Sequence, residues 1–148
     1  MKKFRFPLQK VLEYDTHMQK SEADTLALMV AEYVRLEKRR DAMLADYNEA
    51  KRQYQAECEK GQSASRAAVA GMYITDQRQQ LIKIGEQMRE QMRRIDKQRE
   101  RLLAITQDKT MIEKLKEHAK QDYRAEELKI EELFITEFVS NQVARADG

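Results

Sequence analysis

Proline is absent from the chain after Pro7, and this absence constrains the fold more than any other feature of the sequence. A proline inside a helix removes a backbone hydrogen bond and clashes with the preceding turn, so a chain without proline can form very long helices. The 148 residues include only four glycines, and 36% of the residues are charged. This composition is typical of long helices or coiled coils, which bury a narrow strip of apolar side chains and no globular core.

Apolar side chains recur at spacings of three and four residues along two long segments, which predicts two helices packed through a coiled-coil seam. We expect the first helix at about residues 7–59 and the second at about residues 66–140, followed by a frayed tail over 141–148. The predicted seam positions of the first helix are Met29, Tyr33, Leu36, Arg40, Met43, Tyr47, Ala50 and Tyr54, with a looser extension through Leu8, Val11, Met18 and Leu26. Those of the second are Leu81, Ile84, Met88, Met92, Ile95, Leu102, Ile105, Ile112, Leu115 and Ala119, continuing through Tyr123, Ile130 and Leu133.

One convincing turn, at residues 60–65, separates the two segments. Gly61 suits the C-terminal cap of a helix, and Ser63 or Ser65 suits the N-terminal cap of the next. A short turn between two long helices predicts an antiparallel hairpin. The expected fold class is therefore all-α, a long antiparallel two-helix coiled coil, with residues 1–148 as a single coiled-coil domain.

Folding the chain at the turn fixes which residues face each other. Their numbers should add up to about 125, which places Leu36 near Met88 and Val11 near Leu115. The second helix then continues about 20 residues, or roughly 30 Å, past the start of the first. This predicted overhang is rich in apolar residues and, because exposed apolar surface usually marks an interaction site, favours a protein partner. Fraying or self-association is the alternative.

Two glycines, Gly71 and Gly85, lie inside the second predicted helix. Glycine in a helix interior costs about 1 kcal/mol relative to alanine. Close approach of the two helices, or a local bend, would explain them.

Charge, cysteine content and targeting signals exclude several classes of protein. The formal net charge is only +2, so no strong field attracts nucleic acid or acidic lipid. Cys58 is the single cysteine, which rules out an internal disulfide and is compatible with a reducing cytoplasm. No stretch resembles a signal peptide or a membrane span, so we expect a soluble protein that is not secreted by the usual signal route.

No constellation of residues predicts catalysis, metal binding or a cofactor. His17 and His118 each lie one helical turn from a carboxylate, a spacing typical of surface ion pairs, and no metal-binding histidine motif occurs. The turn at Gly61 lacks the Gly-Lys-Ser/Thr sequence of a phosphate-binding loop. A two-helix coil also lacks the enclosed cavity that catalysis needs. We therefore expect a protein that is not an enzyme and carries no cofactor.

Two basic patches leave nucleic-acid binding as a weaker alternative. Acidic residues dilute the second patch and no aromatic residues interleave with it, so a solvated helix face with intrahelical ion pairs is favoured. The patches are Arg35, Lys38, Arg39 and Arg40, and Arg89, Arg93, Arg94, Lys97, Arg99 and Arg101.

The opening residues 4–12, Phe-Arg-Phe-Pro-Leu-Gln-Lys-Val-Leu, resemble the N-terminal signature of FliJ proteins, soluble components of the flagellar type III export apparatus. Glu22-Ala23 and Leu26 fit the same pattern. So do residues 113–117 and the acidic stretch that follows Tyr123. The resemblance covers nearly the whole chain. The family often has arginine just after the opening motif, where this chain has Tyr14-Asp15-Thr16-His17.

The resemblance implies an antiparallel coiled coil similar to the central stalk of rotary ATPases. Its open end would enter the pore of the hexameric export ATPase and promote ring assembly and hydrolysis. The coil would also contact the cytoplasmic domain of the export gate and escort export chaperones, at the inner face of the cell membrane at the flagellar base. The residues that the resemblance suggests for the ATPase are Gln9, Glu13, Tyr123, Arg124, Glu127, Leu133 and Phe134, and those for the gate are Tyr73, Ile74, Gln77 and Leu81.

Two further interpretations remain open at this point. The equivalent stalk of a virulence type III secretion system shares the architecture. A structural coiled-coil adaptor or chaperone, which would bury the overhang in a homo-oligomer, belongs to a different class. Neither needs a catalytic site or a bound nucleic acid.

Overall fold

The structure, a computed structural model, describes residues 3–147. Helix α1 covers Gln9–Glu59 and helix α2 covers Ala64–Asp147, and the two helices pack against each other. The described residues contain no β-strand. The predicted all-α helical hairpin, with the second helix overhanging the first, is confirmed.

The turn between the helices uses the capping residues that the sequence indicates. Gly61 has a φ of 83°, the left-handed conformation that ends many helices and that glycine adopts without strain. Ser63 caps α2, because its hydroxyl oxygen accepts a hydrogen bond from the backbone N–H of Arg66 at 3.3 Å. Residues 60–63 form the connection, two residues shorter than predicted, and Pro7 lies in a turn just before α1.

The prediction of a frayed tail over 141–148 is wrong for residues 141–147, because α2 continues to Asp147. Gly148 lies outside the described residues. The physical reason is local: no glycine or proline occurs between Gly85 and Gly148, so nothing in this stretch opposes helix propagation.

The contacts divide the chain into two compact units. The central unit is Ser21–Leu102, and the terminal unit combines Met1–Lys20 with Leu103–Gly148. Each unit contains part of α1 and part of α2.

The central unit contains an apolar core. Leu36, Ile84 and Met88 form a buried cluster against which Tyr33 and Met43 pack. This confirms that Leu36 lies near Met88. The other buried apolar side chains of this unit are Tyr47 and Ile95, the latter only 1% exposed.

The central unit also buries one polar cluster. Glu22 and Gln98 are both buried, and the Gln98 amide donates hydrogen bonds to the Glu22 carboxylate and to the Glu22 carbonyl oxygen. Arg101 pairs with the same carboxylate at 3.3 Å. Seven residues closer to the turn on each helix, the Gln91 amide donates to the carbonyl oxygen of Met29 at 3.0 Å. The burial of Glu22 is tolerated because its carboxylate is paired and hydrogen-bonded.

The terminal unit joins its helices mainly through polar side chains. The Lys109 ammonium donates to the Gln19 amide oxygen at 2.9 Å, and the Gln19 amide nitrogen donates to the Thr106 hydroxyl at 3.1 Å. The Lys116 ammonium donates to the amide oxygen of Gln9 at 2.7 Å. None of the described residues of this unit is fully buried. The seam of the terminal unit is therefore more exposed to solvent than that of the central unit.

Contacts within each unit confirm the predicted register. The residue numbers add up to 125 for Gln19 with Thr106 and for Gln9 with Lys116 in the terminal unit, and for Tyr47 with Arg78 in the central unit. The predicted seam is wrong at Val11 in α1 and at Leu115 in α2, which are 42% and 49% exposed. The partly buried positions there are polar residues such as Gln19, which a search for apolar periodicity passes over.

The two glycines of α2 are not explained by close helix approach. A β-carbon added at Gly71 or Gly85 would meet no atom within 4 Å beyond the helix's own backbone. Alanine would therefore fit at both positions.

Candidate protein-binding site on the C-terminal overhang

Residues 128–147 form the last part of α2, and every one of them is exposed. We call this segment the overhang. Its eight large apolar side chains are each between 53% and 70% exposed. They are Leu128, Ile130, Leu133, Phe134, Ile135, Phe138, Val139 and Val143. Exposed apolar surfaces of this extent are typical of interaction sites, which makes the overhang a candidate site for a partner.

The apolar side chains surround the overhang. At about 100° per residue, Ile130, Phe134 and Phe138 lie on one side of the helix and Ile135 and Val139 on the other. The positions seven residues apart that lead up to the overhang are polar: Gln107, Lys114 and Gln121. The next two positions at this seven-residue spacing are apolar: Leu128 and Ile135. A single partner helix would cover only one of these sides, whereas a partner that encloses the helix would cover them all.

Negative charge accompanies the apolar surface. Residues 126–148 contain six acidic residues and two basic ones. No ion pair among residues 3–147 involves an acidic residue of the overhang. A partner surface with basic and apolar groups would complement this segment.

An aromatic contact fixes the base of the overhang. The rings of Phe4 and Tyr123 have centroids 5.5 Å apart and are tilted by 59°, a favourable arrangement for two aromatic rings. Burial raises the pKa of Tyr123, and its hydrogen bond to Glu127 raises the pKa further. This contact holds the N-terminal segment against α2 at the point where the overhang begins.

The residues suggested for ATPase binding all belong to the terminal unit. The Gln9 amide donates to the Glu13 carboxylate at 3.4 Å, and Glu127 is hydrogen-bonded to Tyr123. Arg124 is exposed on the same helix. The remaining two lie on the overhang itself: Leu133 and Phe134, which are 64% and 70% exposed.

The residues suggested for the export gate lie in the central unit and differ in accessibility. Tyr73 is exposed, and its hydroxyl accepts a hydrogen bond from the Gln77 amide at 3.2 Å. Ile74, Gln77 and Leu81 are half-buried and follow the seam spacing of α2. Val69 and Met72, next to Tyr73, are more exposed than these three and were not part of the sequence-based set.

Sequence reasoning also missed the seam lysines of the terminal unit. Lys109 and Lys116 occupy positions that continue the three-and-four spacing of Leu102, Ile105 and Ile112. Polar residues at these positions look like interruptions of a coiled coil until the partner residues on α1 are known. Their place in the three-and-four spacing could have identified these lysines as seam residues, although their polarity argues against it.

Six of the ten basic residues in the two patches form ion pairs, five of them with an acidic residue of the same helix. Arg93 and Arg94 both pair with Glu90, and hydrogen bonding by Arg93 is the main reason that the pKa of Glu90 is lowered. Arg35 pairs with Glu32 at 2.6 Å in the same way. These contacts support the interpretation of a solvated helix face.

Residues 3–147 contain no group of three or more potential metal ligands. Over the same residues, neither helix has a segment apolar enough to cross a membrane.

A comparison with protein-family models identifies the chain. The model described as flagellar FliJ protein matches residues 4–148. Neither the search of curated proteins nor that of solved structures found a match. Since the match extends over essentially the whole sequence, the chain belongs to the FliJ family, a component of the flagellar protein export apparatus.

Proposed function

We propose that this protein is a non-catalytic stalk that binds the hexameric export ATPase through its overhang and stimulates ATP hydrolysis. Family membership supports a role in flagellar export, and favours the flagellar over the virulence system. One observation carries the further step: the overhang exposes large apolar side chains on all its sides. A ring with a central pore can surround a helix of this kind.

The ATPase contact extends to the base of the overhang in this proposal. Gln9, Glu13, Tyr123, Arg124 and Glu127 would meet the rim of the ring, while Leu133 and Phe134 enter further. The negative charge of the overhang would be matched by basic groups on the inner surface of the ring. The apolar side chains of the overhang are exposed in the free chain. Their surface would be buried only when the ring assembles around the helix.

The proposal gives the central unit a second task. Tyr73, with neighbouring Val69 and Met72, would contact the cytoplasmic domain of the export gate, and Ile74, Gln77 and Leu81 would support that surface from the seam. Export chaperones released from their cargo would bind elsewhere along the same chain. These contacts would place the protein in the cytoplasm, at the inner face of the membrane at the flagellar base.

The test is the rate of ATP hydrolysis by the flagellar export ATPase, measured with and without the full chain. The double variant Ile135→Ser/Val139→Ser should weaken ATPase binding about tenfold or more, because it removes two exposed apolar anchors from one side of the overhang. Stimulation should fall accordingly. Truncation after Lys120 should abolish both binding and stimulation while circular dichroism still shows a helical hairpin.

The matched control is Leu28→Ser/Leu103→Ser, which also removes two exposed apolar side chains but lies away from the overhang. It should stimulate as the natural chain does. Unchanged stimulation by the truncated chain would contradict the proposal, as would an equal loss in the control variant.

A further inference from the structure

One face of α2 has a charge pattern that is complementary to itself. Lys120, Arg124, Glu127 and Glu131 are spaced by four, three and four residues, so they lie within about 60° of one another around the helix. Two positive charges are therefore followed by two negative charges along one stripe. We call these four residues the charge stripe.

Within the charge stripe only one neighbouring pair has opposite charges, Arg124 and Glu127, and the other two neighbouring pairs have like charges. Lys120 and Arg124 are like charges four residues apart, and so are Glu127 and Glu131, a spacing at which like charges destabilise a helix. None of the eight ion pairs formed among residues 3–147 involves a residue of the stripe. The four charges of the stripe thus form no ion pair among the described residues.

An antiparallel copy of the same helix supplies those charges. If two copies of α2 run in opposite directions with facing residue numbers that add up to 251, Lys120 faces Glu131 and Arg124 faces Glu127. Each pair occurs twice, because a twofold axis relates the two copies. All four like-charge neighbours then gain an opposite charge on the partner helix.

The same register places the apolar side chains of the overhang over a groove of the other copy. Phe134 and Phe138 continue the face of the stripe, and they reach the level of residues 117 and 113. That level contains a groove between α1 and α2 lined by Leu12, Thr16 and Lys116, among others. A second groove, adjoining the first at Lys116 and Lys120, is lined by Phe4 and Phe6. Basic residues outnumber acidic ones in both grooves: the first has three lysines against Glu113 and Glu117, and the second has four basic residues against Glu13. The overhang, in contrast, is apolar and acidic.

The chain cannot fill these grooves with its own overhang. Helix α2 is continuous from Ala64 to Asp147, so the overhang leads away from the grooves on its own copy. A second molecule can present the overhang in the required direction. The order of charges in the stripe and the position of the grooves thus both indicate a second copy of this chain as the partner.

We propose that the charge stripe is a self-association surface, through which two copies of this chain form an antiparallel dimer centred between residues 125 and 126. This goes beyond the proposed ATPase binding, because it assigns a partner to the overhang when no ATPase is present. The dimer covers Phe134 and Phe138, so the ATPase and the second copy compete for the same side of the overhang.

Sedimentation equilibrium of the full chain tests the proposal. The natural chain should dimerise at micromolar concentrations, and added salt should weaken the dimer because exposed charge pairs are screened. Glu127→Lys/Glu131→Lys makes the stripe entirely positive, and Lys120→Glu/Arg124→Glu makes it entirely negative. Each variant alone should dimerise about 100-fold less tightly, or worse, because like charges then face each other. An equimolar mixture of the two should form a heterodimer.

The matched control for Glu127→Lys/Glu131→Lys is Glu86→Lys/Glu100→Lys. It makes the same change in net charge as that variant, at exposed positions of the central unit. It should dimerise as the natural chain does, and circular dichroism should show that all variants remain helical. A natural chain that stays monomeric up to about 100 μM would overturn the proposal and leave the stripe to a different partner helix. A mixture of the two oppositely charged variants that fails to associate would overturn it as well.

Discussion

The two units of the chain use the same coiled-coil spacing but fill it with different side chains. In the central unit, buried apolar residues such as Ile84, Met88 and Ile95 occupy the seam. In the terminal unit, Lys109 and Lys116 occupy equivalent positions and bind α1 through hydrogen bonds, and no described residue is buried. Since burial of apolar area is the main stabilising term, the central unit should hold its helices together far more strongly. The weaker unit is the one that bears the overhang.

The largest expected effect of a single substitution lies in the apolar seam. Ile95→Ala removes the most deeply buried side chain of the described residues and should lower the free energy of unfolding by about 2–4 kcal/mol. The same change at Ile112, which is half-buried in the terminal unit, should cost about 1 kcal/mol. Urea unfolding of the two variants measures the difference. Equal losses would show that the two seams contribute alike and would break the comparison.

The buried polar cluster is the exception within the central unit, and Gln98→Leu tests it. The substitution removes the amide that hydrogen-bonds the Glu22 carboxylate, so a buried charge keeps only Arg101 as a partner. We expect a loss of about 1–3 kcal/mol in the free energy of unfolding. In the double variant Glu22→Leu/Gln98→Leu no buried polar group remains unsatisfied, and stability should return to that of the natural chain or exceed it.

Calorimetry or urea unfolding of Gln98→Leu, Glu22→Leu and the double variant gives the coupling between Glu22 and Gln98. A double variant that is less stable than Gln98→Leu would mean that the polar cluster stabilises the fold more than leucine packing does at these positions.

A smaller effect is expected at the aromatic contact that closes the terminal unit. Phe4→Ala removes the ring packed on Tyr123 and should cost about 1 kcal/mol locally. Because this unit lacks buried side chains, the loss should increase hydrogen exchange over residues 9–20 without changing exchange over residues 33–47. Leu28→Ala, at an exposed apolar position of the central unit, serves as the control. Faster exchange in both segments would show that the two units open together.

The fold follows from the sequence because few residues determine it. The absence of proline after Pro7, the caps at Gly61 and Ser63 and the apolar spacing around Leu36 establish two helices, one turn and the register. The polar seam was not predictable in the same way. A glutamine or lysine such as Lys116 contributes to a seam only if an acceptor lies opposite, and that depends on the folded register. The candidate site was predictable only in part. Apolar composition indicates the overhang as a binding surface, but helical periodicity does not identify its partner.

The smallest expected effects concern Gly71 and Gly85, and they sharpen the comparison because both lie in the central unit. A β-carbon at either position meets no neighbouring atom, so alanine adds no clash. It also reduces the conformational freedom of the unfolded chain and favours the helix, which should add up to about 1 kcal/mol of stability at each site. Hydrogen exchange should slow in the central unit and stay unchanged at residues 9–20. A loss of stability would mean that a local bend at these glycines is needed for packing.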